Sequence, residues 1–294
     1  MYRNVSSLIK ACDELNLPIW ELMIRSEMKY ARATRQEVWD KMKNQLQVME
    51  NAAHRGADGN GVHSPTGLTG GEAAKMRKYR ESGKGLSGEL ILSAIQNSLA
   101  TNEVNAAMGL ICATPTAGSS GTIPGVLFSI DQKLHLTEDQ KIQFLFTASA
   151  FGLVTANNAM IAGAVGGCQA EVGSASAMAA AAAVEVCSGT PNQAAEAFAM
   201  ALSNLLGLVC DPVAGLVEIP CVKRNVVGSV NALACADMAL AGLTNKIPAD
   251  EVIGAMKRIG ENMPVQLRET GLGGLATTRT GLKMKIKIFG EDMD

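Results

Sequence analysis

Three cysteines stand in turn-forming contexts beside acidic or amide residues: Cys168 in Gly166-Gly167-Cys168-Gln169-Ala170-Glu171, Cys210 in Val209-Cys210-Asp211-Pro212, and Cys221 in Ile219-Pro220-Cys221-Val222. Thiolates are the usual ligands of iron-sulfur clusters, and three of them around a cubane leave one iron free to meet a substrate. Gly167, Pro212, Gly215 and Pro220 break regular structure around these positions, which lets backbone amides point at sulfur. Hydrogen bonds of that kind are one control on a cluster. The spacing alone leaves two readings open, a metal site or inert packing cysteines, because neither the ferredoxin run nor the zinc Cys-x-x-Cys pair is present. The remaining four, Cys12, Cys112, Cys187 and Cys235, lie in or beside apolar helical patterns. There a free cysteine behaves as a small hydrophobe.

A second candidate site is the break from Cys112 to Gly125. It offers several backbone N–H groups together with the hydroxyls of Thr116, Ser119 and Ser120, and Gly118 and Gly121 permit the dihedrals that turn successive amides toward one point. Such nests bind carboxylates or phosphates; the absence of Gly-Lys-Ser/Thr and of the Rossmann spacing favours a carboxylate over a nucleotide. An ordinary interhelical loop is the alternative. His54, His63 and His135 do not assemble into a Ser-His-Asp set. His63, in the glycine-rich stretch GADGNGVHSPTGLTGG from Gly56 to Gly71, is the one candidate acid or base. That stretch reads as a long loop, functional or simply mobile. Glu171, Asp211 and Glu218 flank the three cysteines and could bind a substrate ammonium or balance local charge.

The elements that must position these residues read as helices. Pro18 suits a first helical turn, and Ile19, Leu22, Met23, Val38, Met42, Leu46 and Met49 recur at helical spacing, which predicts one long amphipathic helix reaching about Ala53. A further helix runs from Ser87 to about Met108. Thr137 with Gln140 is a capping box opening a helix toward Gly166, and Thr190 with Gln193 is another. Ala175 to Val186 is so uniformly small and apolar that protein must surround it on every side. Asn225 to Leu240 and Asp250 to Ile259 complete an all-α, mainly helical expectation: one domain over residues 1–294, with an N-terminal helical part at 1–55 and a catalytic core at 56–294.

Composition narrows the function. The formal charge is −2 and no long basic run exists, which points away from nucleic acid and toward a small-molecule or protein partner; aromatic residues make up only 4% of 294, which favours closely approaching helices over a β-sandwich. No apolar segment reads as a clean membrane span, and the N-terminus does not resemble a secretory signal, so the expectation is cytoplasmic, with the seven cysteines reduced.

Several blocks, in order, resemble the alpha chain of the iron-sulfur-dependent L-serine dehydratases: Ser64-Pro65-Thr66-Gly67-Leu68-Thr69-Gly70-Gly71, Asn105-Ala106-Ala107-Met108-Gly109, Pro115-Thr116-Ala117-Gly118-Ser119-Ser120-Gly121, Gly166 to Ala175, and Gly207 to Cys221. The resemblance implies a helical catalytic fold, a [4Fe-4S] cluster held by Cys168, Cys210 and Cys221, and conversion of L-serine to pyruvate and ammonia without pyridoxal phosphate. Within it, Thr116, Gly118, Ser119, Ser120 and Gly121 are the expected carboxylate cradle and His63 the candidate base. Some members carry a second α+β domain in a longer chain. This sequence shows no strand-rich segment to supply one, so a separate beta chain is expected as partner. The competing functions are a non-catalytic iron-sulfur sensor or electron-transfer subunit, a metal-free helical scaffold, and a dehydratase for another β-hydroxy amino acid such as L-threonine.

Overall fold

The computed structural model describes residues 2–290. Thirteen α-helices are found among them, and no strand beyond two isolated bridges, so the fold is all-α. The first three helices are α1 (Val5–Leu15), α2 (Ile19–Ala31) and α3 (Arg35–Ala57). The single long helix expected after Pro18 is therefore two. Arg32 takes a left-handed conformation (φ +52°), and Thr34 then opens α3 in a reciprocal capping box with Glu37. Apolar periodicity continues across the junction because both helices cover the same core, but the cap decides where the backbone turns.

Next come α4 (Glu72–Glu81), α5 (Gly88–Ala106), α6 (Thr122–Leu134) and α7 (Glu138–Asn158). Residues 82–87 form a short turn between α4 and α5, and α4 itself carries no strong apolar periodicity that would announce it. Helix α6 starts inside the stretch read as a break, with Pro124 in its first turn, where a missing N–H is harmless. The Thr137–Gln140 box opens α7 as expected, but the helix stops at Asn158, whose side chain donates to Val154 O and Arg3 O. A four-residue helix α8 (Gly163–Gly166) follows, then a π-helical turn (Gln169–Gly173) that runs into α9 (Ser174–Val186).

Helix α9 is the axis of the molecule. Its residues from Ser174 to Val184 are all buried, with α6, α7, α10 (Pro191–Asn204) and α11 (Cys221–Leu240) packed around it. Seven alanines and two serines let those neighbours approach closely, and larger side chains on them, including the stacked pair Phe151 and Phe198 at 5.1 Å, fill the remaining space. The last three helices are α11 (Cys221–Leu240), α12 (Ala249–Asn262) and α13 (Arg279–Phe289). One apolar core runs from Val5 and Leu8 through Met49 to Met256, so residues on both sides of position 55 share it, and α3 crosses that position unbroken.

Candidate active site

The three turn cysteines come from three separate places in the fold. Cys168 sits between α8 and the π-helical turn, Cys210 in the irregular stretch after α10, and Cys221 is the first residue of α11. All three are buried. The turn before Cys168 needs Gly167, at φ +74°, because a β-carbon there would lie 2.5 Å from Met263 Sδ. The backbone of Cys210 is held by a short parallel bridge: its N–H donates to Leu267 O at 2.8 Å, and its carbonyl accepts from the Glu269 N–H at 2.9 Å.

The sulfurs act on one another. The Cys168 sulfur, then burial, then the negative charge of Cys221 and Glu171 push the Cys210 thiol far up. Burial raises the Cys221 thiol, with Cys168 and Glu171 adding to the effect and Arg224 opposing it. Two buried thiols, Cys210 and Cys221, whose protons are held more tightly beside the buried Cys168 sulfur form with it a donor set that a bound cation would convert to thiolates, since metal ligation competes directly with the protons. This chemistry fits an iron-sulfur cluster. It does not fit a disulfide framework, as all seven cysteines are free.

Two carboxylates complete the centre. One oxygen each of Glu171 and Glu269 and the sulfur of Cys210 lie within 4.8 Å of one another. Glu171 faces the 116–121 loop: Thr116 Oγ1 donates to its Oε1 at 2.6 Å, and a β-carbon on Gly118 would stand 3.2 Å from both carboxylate oxygens. Across from it, a β-carbon on Gly163 would come within 2.6 Å of Glu171 Oε2 and 3.1 Å of Glu269 Oε2. Glycine at both positions is thus a condition for the carboxylates to sit where they do. Burial raises the Glu171 carboxyl, and the neighbouring Glu269 raises it further, against the lowering influence of Thr116 and the Gly163 amide.

The loop from Thr116 to Gly121 is rigid and mostly committed. Ser119 and Ser120 are fully buried; Ser119 Oγ donates to Thr114 O, and Ser120 Oγ accepts from Asn102 Nδ2 at 3.4 Å. The Gly121 amide donates to Asn225 Oδ1, while Asn225 Nδ2 donates to Gly118 O. At the start of the 3₁₀ turn Ala117–Ser119, the amides of Ala117 and Gly118 have no acceptor among the described residues. The donors left uncommitted in this loop are therefore the Ala117 and Gly118 amides, with Thr116 turned to Glu171 and Ser119, Ser120 and Gly121 serving as the frame.

The long loop is pinned. Thr66 Oγ1 and Thr69 Oγ1 donate to the two oxygens of buried Glu218 at 2.8 and 2.9 Å, and Ser64 N–H bonds Thr69 O at 3.0 Å. This ties the segment carrying His63 to the residues just before Cys221. The imidazole lies against Gly70 and Gly71, where a β-carbon would fall 2.7 Å from Cδ2 and 3.2 Å from Nε2 respectively. Buried Glu103, which accepts the first two amides of α4, is an acidic neighbour of the imidazole.

Asp211 belongs to the framework. Its carboxylate contacts Arg224 Nη1 at 2.8 Å and accepts the Leu275 amide at 2.8 Å; Arg224 also donates to Val209 O. Sequence reasoning missed Glu269, Arg224, Asn102 and Asn225. Glu269 had a faint signal, an acid placed just before the run Gly271-Leu272-Gly273-Gly274, while the others sit in ordinary helical pattern.

Residues 14–276 match the protein family described as Serine dehydratase alpha chain. The chain is 60% identical over 290 residues to the probable L-serine dehydratase, alpha chain, of Bacillus subtilis (strain 168), spanning 99% of this chain and 96% of that one. It is 41% identical over 291 residues to the L-serine dehydratase, alpha chain, of Peptoniphilus asaccharolyticus, spanning 99% of both. L-serine dehydratase 2 of Escherichia coli (strain K12) is 36% identical over 280 residues, which take in 94% of this chain but 61% of that longer protein.

Proposed function

Because the chain belongs to the serine dehydratase alpha-chain family, we propose that it converts L-serine to pyruvate and ammonia at the site built by Cys168, Cys210, Cys221, Glu171 and the 116–118 cradle. The observation that carries this reading is the convergence of three buried cysteines from distant segments upon Glu171, which itself faces the cradle. Cys168, Cys210 and Cys221 would hold a [4Fe-4S] cluster, which supplies a Lewis-acidic iron that makes the serine hydroxyl a better leaving group.

The chain's own residues do the rest. The Ala117 and Gly118 amides hold the substrate carboxylate, Thr116 joins that loop to Glu171, and Ser120 and Gly121 keep those donors in place through Asn102 and Asn225. Glu171 and Glu269 take the ammonium. Neither carboxylate has a cationic side-chain partner among the described residues, so a substrate ammonium relieves their mutual repulsion. Fixing both charged ends leaves the α-carbon one orientation toward the base. His63 is that base, seated by Gly70 and Gly71 and anchored through Glu218. Loss of the α-proton and the β-hydroxyl gives aminoacrylate, which tautomerises and hydrolyses without further help from the protein.

In this reading the whole chain acts as one catalytic unit with a separate beta chain, and it works in the cytoplasm, where the cysteines stay reduced. No helix of the described residues is long and apolar enough to cross a membrane. The test is pyruvate formation from L-serine by anaerobically purified protein, with and without the beta chain, alongside iron and sulfide analysis. Alanine at Cys168, Cys210 or Cys221 should abolish both the brown absorbance and turnover. A variant that keeps both would remove that cysteine from the ligand set, and wild-type protein without iron or activity would sink the reading.

A further inference from the structure

Helix α13 turns one apolar face toward its own protein and a second one away from it. At about 100° per residue, Gly281, Met284 and Ile288 share the inner face, while Leu282, Ile286 and Phe289 form a stripe rotated from it by about 130°. The assignment agrees with burial. Gly281 is buried and Met284 and Ile288 are half-buried, whereas Leu282, Ile286 and Phe289 are 47%, 46% and 54% exposed. The stripe continues along the chain onto Leu275, also exposed, whose carbonyl lies beneath Gly281. Its flanks are cationic, with Arg279 and Lys283 on one side and Lys285 on the other, and the helix contains no acid.

We propose that this outer stripe is the docking face for the beta chain, whose matching surface carries apolar side chains bordered by carboxylates. The inference rests on the two-chain reading above. Contiguous exposed apolar residues rimmed by charge mark partner sites, and a short amphipathic helix is a common anchor. A second copy of this chain fits poorly, since an isologous contact through a helix with four cations and no acid would set like charges together.

The location gives the contact a consequence. Helix α13 packs on the 3₁₀ turn Val213–Gly215, three residues beyond Cys210. The segment leading into it holds the Cys210 backbone through Leu267 and Glu269 and bonds Asp211 through the Leu275 amide. A partner seated on α13 would clamp the segment that brings Glu269 to the site, so it is a means of ordering the substrate pocket from outside.

The experiment is calorimetric titration of full-length chain with separately purified beta chain under anaerobic conditions. It compares wild type, Ile286→Glu, Phe289→Glu, the flanking pair Lys283→Glu/Lys285→Glu, and Leu86→Glu as a control on an exposed apolar residue in the turn before α5. All replaced side chains are exposed, and circular dichroism checks that each variant keeps its helical content. The expected result is unchanged affinity for Leu86→Glu, at least ~30-fold weaker binding for Ile286→Glu, Phe289→Glu and the lysine pair, and wild-type binding that weakens with added salt. Equal binding by wild type and the α13 variants overturns the proposal while leaving the two-chain reading intact. So does loss, in those variants, of self-association or of binding to phosphatidylglycerol vesicles with beta-chain affinity unchanged. Wild-type chain that binds no beta chain at all defeats the two-chain reading itself.

Discussion

Replacing both Thr66 and Thr69 with valine should free the loop that carries His63 without unfolding the protein. Valine keeps the shape of threonine but removes the hydroxyls that donate to Glu218 at 2.8 and 2.9 Å, leaving a buried carboxylate with neither donor. Hydrogen bonds to a charged acceptor contribute about 1.5–3 kcal/mol each, so the pair holds the loop by about 3–6 kcal/mol. The bonds from Ser64 to Thr69 O and from Gly71 to Val62 O lie within the loop and cannot replace that tether. At about 1.4 kcal/mol per tenfold, the open fraction of the loop should rise by roughly 10²–10⁴. Hydrogen-exchange mass spectrometry of a peptide covering residues 62–71 reads this directly, and steady-state pyruvate formation reads its effect on chemistry. Displacing the base by an ångström or more should lower kcat about 10²-fold. Glu218→Gln, which keeps one carbonyl acceptor, should fall between. Unchanged exchange in the double variant would refute the anchoring, and faster exchange with unchanged kcat would remove His63 from the chemistry.

Glu269→Gln should raise KM for L-serine by about 10–100-fold, the value of one charged hydrogen bond, while leaving the weak binding of L-glycerate, which lacks the ammonium, unaltered; an equal effect on both ligands would contradict the ammonium role. Gly125→Ala should destabilise the fold by about 1–3 kcal/mol, because the new β-carbon would press on Ser98 Oγ and Ser229 Oγ, which are bonded to each other at 2.6 Å. A melting temperature equal to wild type would mean that the α5–α6–α11 crossing relaxes more easily than its packing indicates. Burial raises the Glu185 carboxyl, against the donors Thr147 and Ile19, so the native state holds its proton more tightly than the unfolded chain does. That contribution is complete below the unfolded pKa and is lost as pH rises through the folded one, so Glu185→Gln should flatten the fall in melting temperature above about pH 4.5. Parallel curves for the two proteins would contradict it.

Local signals in the sequence were legible where a few neighbouring residues determine the structure. The boxes at Thr137–Gln140 and Thr190–Gln193 appear as expected, and the alanine run of α9 is buried on every side. The break between α2 and α3 escaped detection although it uses the same chemistry, because the apolar period runs straight through Arg32 and Thr34 and masks the cap. In the 112–125 stretch the glycines and hydroxyls were visible, but their division of labour was not. Ser119 turns to Thr114 O, while Gly118, Ser120 and Gly121 are fixed by Asn102 and Asn225, which arrive from α5 and α11. Glu269 was out of reach for the same reason, since only the bridge between Cys210 and Arg268 brings it to the centre.

The three acids beside the cysteines make the point most sharply. Nothing in their local sequence separates Glu171, Asp211 and Glu218, and each lies within a few residues of a turn cysteine. What separates them is the partner delivered by another element: Arg224 reaches Asp211, and Thr66 and Thr69 reach Glu218. Glu171 receives only one hydroxyl and a backbone amide, faces a second carboxylate, and is paired with no cation among the described residues. A buried acid left without a counter-charge is costly to ionise, and its two neighbours each receive a charged or doubly hydrogen-bonded partner that Glu171 lacks. Under the proposed function that partner is a cation that comes and goes, and of the two ends of L-serine only the ammonium meets that description.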